Sequence, residues 1–324
     1  RSSDLKMMKC VFIQRLFKWH SYERVLIKVL SPLISTKPIH NPKLMMTLLV
    51  RNEADIIETN LLFHRQMGVD GFIVTDNNST DETANILRKY YKKGWIKEII
   101  NEPGNNYNQK KWVDRMIKIA KNKYHTDWII NADADELWYT PLGNLKKEVD
   151  YLACNIVSCP LMNVMPEEKT PLSCWNKVVV SPIQDLEERG LSKYAIYNIQ
   201  INKEMHRTKG YIRISDGNHF VEMFPEKRSY NSTIVIYHYP VRGYSHFQKK
   251  VVQGGEAINN NPAKNIGTHW KALYDIYLQG KLFEEYKKVV GDKNVVGQML
   301  DEGSVKIDET VPLILKKILS KAKC

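Results

Sequence analysis

Residues 43–76, "KLMMTLLVRNEADIIETNLLFHRQMGVDGFIVTD", change period twice. The run 43–50 is almost wholly apolar, as in a strand buried on both faces. Residues 53–68 have helical spacing and end at Gly68, and 71–76 form a second apolar run. Strand, helix, strand in that order implies two parallel strands joined by a right-handed crossover. The alternation continues. Residues 79–94 are a helix opened by Ser, Thr and acidic cap residues and closed by Gly94, and 95–100 are a strand. Residues 109–123 are a helix and 127–132 a fourth strand. The expected fold class is therefore α/β, a Rossmann-like, mostly parallel sheet flanked by helices, with helical extensions at both ends.

Ligands of such sheets bind beyond the carboxyl ends of the strands. Polar loops follow each strand here: "RNE" (51–53), "DNNSTDE" (76–82), "NEPGNNYNQKK" (101–111), and then "DADE" (133–136) after the fourth. Asp133, Asp135 and Glu136 crowd negative charge at a strand end, where desolvation is costly unless a partner compensates it. In extended chain, Asp133 and Asp135 would point to one side and share one hard cation, Mn2+ or Mg2+, with phosphate oxygens. Glu136 reads as structural, a helix capper.

The chain has 324 residues, 43% of them apolar, enough for a large core. Residues 151–240 carry short strand-like runs (154–164, 177–183, 232–240), and from about 245 the spacing is helical. The expected organisation is a basic amphipathic segment (1–42), a catalytic domain (43–260, split at 140 into donor and acceptor halves) and a basic helical extension (261–324). Five scattered cysteines make no disulfide framework or C-x-x-C site, which fits a cytoplasmic chain.

The net charge of +12 is uneven. Residues 1–43 hold nine Lys and Arg against Asp4 and Glu23; the last fourteen hold four Lys and no acid; 44–310 is left at +1. Both ends are amphipathic. Met8, Val11, Phe12, Leu16 and Trp19 recur at helical spacing, as do Val311, Ile314, Leu315 and Ile318. Such helices either pack on the domain or lie on an anionic membrane surface, here at its inner face. No apolar run reaches the roughly 18 residues of a membrane span.

Residues 48–87 followed by "DWIINADADELW" (127–138) resemble the nucleotide-sugar-binding half of glycosyltransferases with the A-type fold, in particular family 2. Residues 237–255, "YHYPVRGYSHFQKKVVQGG", are similar to a His-Tyr-x-x-Arg segment downstream in some bacterial relatives. The resemblance implies a metal-dependent, inverting transfer from a nucleoside-diphosphate sugar to a glycan or glycolipid, as in surface polysaccharide or lipopolysaccharide synthesis. It assigns Arg51, Glu53, Asp76, Lys111, Asp133 and Arg242 to the nucleotide sugar, with Lys249 and Lys250 as further cations for the diphosphate. Asp133, Asp135 and His238 become the metal ligands, although His238 also fits an ordinary strand position. The chain lacks the family's Glu-Asp pair and Gln-x-x-Arg-Trp segment. The base is sought instead in "RISDGNHFVEMF" (213–224), at Asp216 or Glu222 with His219 close by, while Asp216 equally suits an Asp-Gly turn.

Two other classes compete. A basic nucleic-acid-binding protein would carry its charge at its site, whereas here the charge sits in the tails, so no nucleic acid is expected. A nucleotidyltransferase on a similar sheet would want a Gly-rich basic loop after the first strand, which "LLVRNEADII" lacks.

Overall fold

The computed structural model describes residues 22–103, 108–167, 169–198, 201–259 and 268–322; the apolar stripe expected at 8–19 lies outside them. The first half runs α1 (residues 22–30), β1 (Leu44–Val50), α2 (Ile57–Gln66), β2 (Gly71–Asp76), α3 (Thr83–Lys92), β3 (Ile96–Asn101), α4 (Gln109–Asn122) and β4 (Trp128–Asp133). It continues with β5 (Glu136–Tyr139), α5 (Leu145–Val149), β6 (Ile156–Cys159), β7 (Leu161–Val164), β8 (Lys177–Val179) and β9 (Lys203–Arg207). Then come β10 (Tyr211–Ile214), β11 (Val221–Met223), β12 (Arg228–Ser229) and β13 (Val235–His238). The chain ends with α6 (Tyr244–Asn259), α7 (Thr268–Leu278), α8 (Leu282–Val290), α9 (Lys293–Asp301), β14 (Val305–Ile307) and α10 (Thr310–Ala322).

The four expected strands and three expected helices form, and β1 pairs in parallel with both β2 and β4. The sheet order is β12-β6-β9-β4-β1-β2-β3, so the direction of winding reverses between β1 and β4 and opens a crevice there. Alternate residues of the central strands feed two cores. Met46, Leu48, Val74 and Ile130 face one, with Leu61 and Phe63 of α2. Met45, Ile73 and Ile129 face Val113, Met116, Ile117 and Ala120 of α4. Coverage on both faces is why these strands read as continuous apolar runs. Gly68 closes α2 with φ +89°, and an added Cβ there would lie 2.1 Å from Asn144 Oδ1, so both backbone and space require glycine.

The rim loops after β1 and β2 brace each other. Asn52 N–H donates to Ser79 Oγ, Thr80 N–H to Asn52 Oδ1, and Glu53 N–H to Thr83 Oγ1. Asp81, not a residue nearer the helix, accepts from Thr83 N–H at the start of α3.

Several expectations are corrected. Residues 134–135 are a turn rather than extended chain, because β5 leaves the first sheet at once and enters a second, ordered β14-β8-β7-β13-β5. Strands β9, β10, β11 and β14, of three to five residues each, were not among the expected runs, because so short a stretch does not establish a period. Residues on both sides of position 260 pack into one core. Met165, Val179, Leu191 and Tyr197 share a core with Phe247 and Val251 of α6, Leu273 of α7, Tyr286 of α8 and Met299 of α9. The basic C-terminal helix α10 turns Val311 and Leu315 into the main core, so its apolar face is not available to a membrane. No helix among the described residues is long and apolar enough to cross a membrane.

Candidate active site

Asp133 ends β4 in one sheet and Glu136 begins β5 in the other, leaving Asp135 at the corner, 3% exposed. Register supplies its neighbours. In β13, His238 lies opposite Glu136 on one side and Asn163 of β7 on the other. In β9, antiparallel to β4, Lys203 falls beside the strand end that carries Asp133.

The turn sends its carboxylates to different cations. Asp133 Oδ2 accepts from Lys203 Nζ at 2.9 Å, and the same ammonium pairs with Glu136. Asp135 Oδ2 accepts from Lys250 Nζ at 2.6 Å and lies 3.4 Å from Arg242 Nη1. Arg242 also bonds Glu53 and, at 2.6 Å, Asp55, joining the loops after β1 and β4 across the crevice. Burial opposes the charge on Asp135, but Lys250, His238 and Arg242 outweigh it and hold its pKa well below the carboxylate range. Burial dominates at Glu136 and raises its pKa, with Asp133 and Asp135 adding to that against Lys203. Within this connected cluster of described residues, five carboxyl groups (Glu53, Asp55, Asp133, Asp135, Glu136) face three cations (Lys203, Arg242, Lys250), and burial raises the pKa of two of the five, Glu53 and Glu136.

His238 is neutral by construction. Asn163 Nδ2 donates to Ile196 O at 2.8 Å, so its Oδ1 accepts from His238 Nδ1–H, also at 2.8 Å. Burial lowers the imidazole pKa to about 4 despite Asp135. The bare Nε2 therefore faces Asp135 Oδ1 at 3.7 Å. Two lone-pair donors with no proton between them form an arrangement a hard or borderline cation would complete. These two donors fit Mn2+ or Mg2+. Among the described residues no group of three or more His, Cys, Asp and Glu converges as a ready metal cage. Asp133, Asp135 and His238 thus do not meet as a trio, because Asp133 is turned toward Lys203.

The other expected residues divide. Glu53 and Arg242 are in the cluster, bonded to each other, and Lys250 faces inward while Lys249 is exposed. Asp76, buried at the end of β2, accepts from Ser79 N–H, and Arg51 has a buried Nε without a partner. Lys111 and Asp216 line an open groove of ≈ 800 Å³ along α4, with Lys110, Asp114 and Lys118. Glu222 is held by Arg24 and Arg213, and they, after the opposing effect of burial, lower its pKa. His219 is the member of its segment that feels the acidic turn. After burial, the charge of Lys203 lowers its pKa and that of Asp133 raises it. Sequence reasoning missed Lys203, Asp55 and Asn163, whose roles depend on pairings 70 or more residues apart in the case of Lys203 and Asn163.

Residues 48–211, half of the chain, match the sequence profile of glycosyl transferase family 2. No curated protein matches the chain in sequence. Among solved structures, it is similar to the mannosyltransferase PcManGT from Pyrobaculum calidifontis in complex with GDP-Man and Mn2+, at 16% identity, covering 84% of this chain and 82% of that one, TM-score 0.41. TarS 1-349 from S. aureus is 12% identical over 85% of this chain and 87% of that one, TM-score 0.37. Glucosyl-3-phosphoglycerate synthase from Mycobacterium tuberculosis, in complex with Mn2+ and UDP, is 12% identical over 52% and 57%, TM-score 0.30. None of these likenesses is close enough to carry a substrate across.

Proposed function

The chain belongs to glycosyl transferase family 2, and we propose that this glycosyltransferase moves a sugar, with inversion, from a nucleoside-diphosphate sugar to a hydroxyl of a glycan or glycolipid. The observation that supports the donor half is the facing pair Asp135 and His238 at the crevice between β1 and β4. Mn2+ or Mg2+ held by these two residues would supply Lewis acidity to the departing diphosphate. Asp133, its side chain 35% exposed, would hold the ion less directly than these two, being paired with Lys203. Lys250 and Arg242 keep Asp135 ionised and present positive charge where the diphosphate leaves. Arg51, with its unpartnered Nε, and Asp76 take the nucleoside.

The acceptor proton goes to His219 rather than to Asp216 or Glu222. Glu222 is committed to two arginines and Asp216 to the α4 groove, whereas His219 shares the field of Asp133 and Lys203. A lowered pKa keeps its imidazole neutral and able to accept at neutral pH.

Thermal shift with UDP-, GDP- and dTDP-sugars tests this reading, since a ligand of the folded state raises its apparent stability. One donor should stabilise the protein only with Mn2+ or Mg2+, and Asp135→Ala and His238→Ala should each abolish the shift. Stabilisation without a divalent ion, or retained by both variants, sinks the metal assignment. In donor hydrolysis, His219→Gln should lose at least about a hundredfold in kcat, the lower end of the usual worth of a general base. Loss in Asp216→Asn instead would return the base to Asp216.

A lipid-linked acceptor at the inner face of a membrane fits α1. That helix rests on the body through Ile27 and an Arg24–Glu222 ion pair, while Tyr22, Val25, Leu26, Val29, Leu30 and Leu33 are 40–78% exposed. An apolar stripe flanked by Lys28 and Lys37 suits an anionic lipid surface.

A further inference from the structure

Helix α2 presents two polar side chains, Asn60 and His64, on a face otherwise made of Ile57, Leu61 and Phe63, and both are fully buried. A core helix gains nothing by burying such groups unless each is satisfied. These are satisfied by the acidic turn. Asn60 Nδ2 donates to Ala134 O at 2.8 Å and to Glu136 O at 3.0 Å, the carbonyls on either side of Asp135. Its Oδ1 accepts from His64 Nδ1–H at 2.9 Å, as does its backbone carbonyl. The other ring nitrogen, His64 Nε2, accepts from Trp138 N–H at 3.0 Å in β5.

The donor pattern admits one solution. Trp138 N–H can only donate, so Nε2 is bare and Nδ1 holds the proton; Asn60 Oδ1 then accepts it, which leaves both amide hydrogens for the two carbonyls. The carbonyls need that help. Where the chain leaves the first sheet at Asp133 and joins the second at Glu136, Tyr239 N–H takes the Asp135 carbonyl at 2.8 Å, whereas the carbonyls of Ala134 and Glu136 turn to Asn60, and a buried carbonyl without a donor is costly.

Resting on the glycosyltransferase reading, we propose that Asn60 and His64 are positioning residues that fix the backbone on both sides of Asp135 and so set its carboxylate against His238. Neither touches substrate. Their removal should loosen the turn and weaken divalent-cation and nucleotide binding together, beyond any loss of fold.

The test compares wild type with Asn60→Ala, His64→Ala and His64→Gln, the last because a Gln side-chain oxygen can still accept from Trp138 N–H. Hydrogen exchange of peptides covering 133–139 reads the turn directly. Titration of Mn2+ in the presence of a nucleoside diphosphate, followed by the loss of the free-ion resonance signal, reads the site without requiring turnover. Asn60→Ala and His64→Ala should exchange faster at 134–138 and bind Mn2+ at least tenfold more weakly, with His64→Gln recovering most of both. Unchanged exchange overturns the proposal, and so does faster exchange with unchanged Mn2+ affinity, which would mean a role in stability alone. If Asn60→Ala does not fold, the pair at His64 still decides, since a purely structural role predicts no recovery of affinity in His64→Gln beyond recovery of stability. Wild-type protein that binds no Mn2+ with any nucleoside diphosphate fails the functional reading instead, while the exchange result stands by itself.

Discussion

His64 and His206 are completely buried and neutral, and the cost of charging them is written into the pH dependence of the fold. Burial lowers His64 to about 3 and His206 to about 4, although each has a backbone carbonyl beside it. Both pKa values lie below the unfolded value near 6.5, so as pH falls below about 6.5 the unfolded chain gains protons that the folded chain refuses. Stability is therefore full above that pH, declines as the medium acidifies, and levels off below the folded values. At pH 5 each imidazole accounts for a loss of ~2 kcal/mol. Urea midpoints measured at pH 7 and pH 5 should fall accordingly, and His64→Gln should flatten its share of the slope. An equal slope in that variant would place the titration elsewhere.

At the scale of elements, two helices with similar amphipathic sequences meet opposite fates. Leu315 of α10 is fully buried, so Leu315→Ala should cost about 2–5 kcal/mol as a cavity in a packed core. Leu26 and Val29 of α1 are more than half exposed, so Leu26→Glu with Val29→Glu should leave the unfolding midpoint within error. The same pair should abolish co-sedimentation with phosphatidylglycerol vesicles, with phosphatidylcholine vesicles as the control. Binding that survives the two glutamates removes α1 from the membrane. Sequence alone left both outcomes open for the C-terminal stripe, and the stripe of α1 went unread beside that at 8–19, because a stripe at helical spacing looks the same whether a core or a solvent lies under it. It did identify β1 to β4 and α2 to α4, whose period, caps and closing glycines are local signals. Strand β9, "KEMHR", was invisible for the converse reason: its burial depends on β4 and β6 flanking it, and its charges are matched by Glu136 and Arg228 from distant segments. The acidic pair was legible as an anomaly, but its turn was not, since nothing in "DADE" states that the next residue joins another sheet.

Over the whole molecule, Arg242 gathers the loop after β1, the loop after β4 and the segment that opens α6. Its guanidinium, 2% exposed, bonds Glu53, Asp55 and the Tyr239 carbonyl and lies beside Asp135. Removing one member of a buried charge network leaves the others uncompensated. Arg242→Met should therefore destabilise by about 3–5 kcal/mol, seen in urea unfolding at pH 7, and Arg242→Lys should recover only part because an ammonium cannot fork to two carboxylates. A neutral result would show that the three segments are held by the surrounding packing alone.

The corner between the two sheets has a mechanical meaning as well. Asp133 is fixed to one sheet through β4, and His238 is fixed to the other through β13, with two residues, Ala134 and Asp135, carrying the chain from β4 to β5. A change in the angle between the sheets is taken up in part at that joint, and because Tyr239 N–H holds the Asp135 carbonyl at 2.8 Å, Asp135 and His238 move with the second sheet while Asp133 and Lys203 stay with the first. The spacing of the two aspartates is thus a gauge whose arms are the two sheets, with Asp135 and His238 together on one arm and Asp133 on the other.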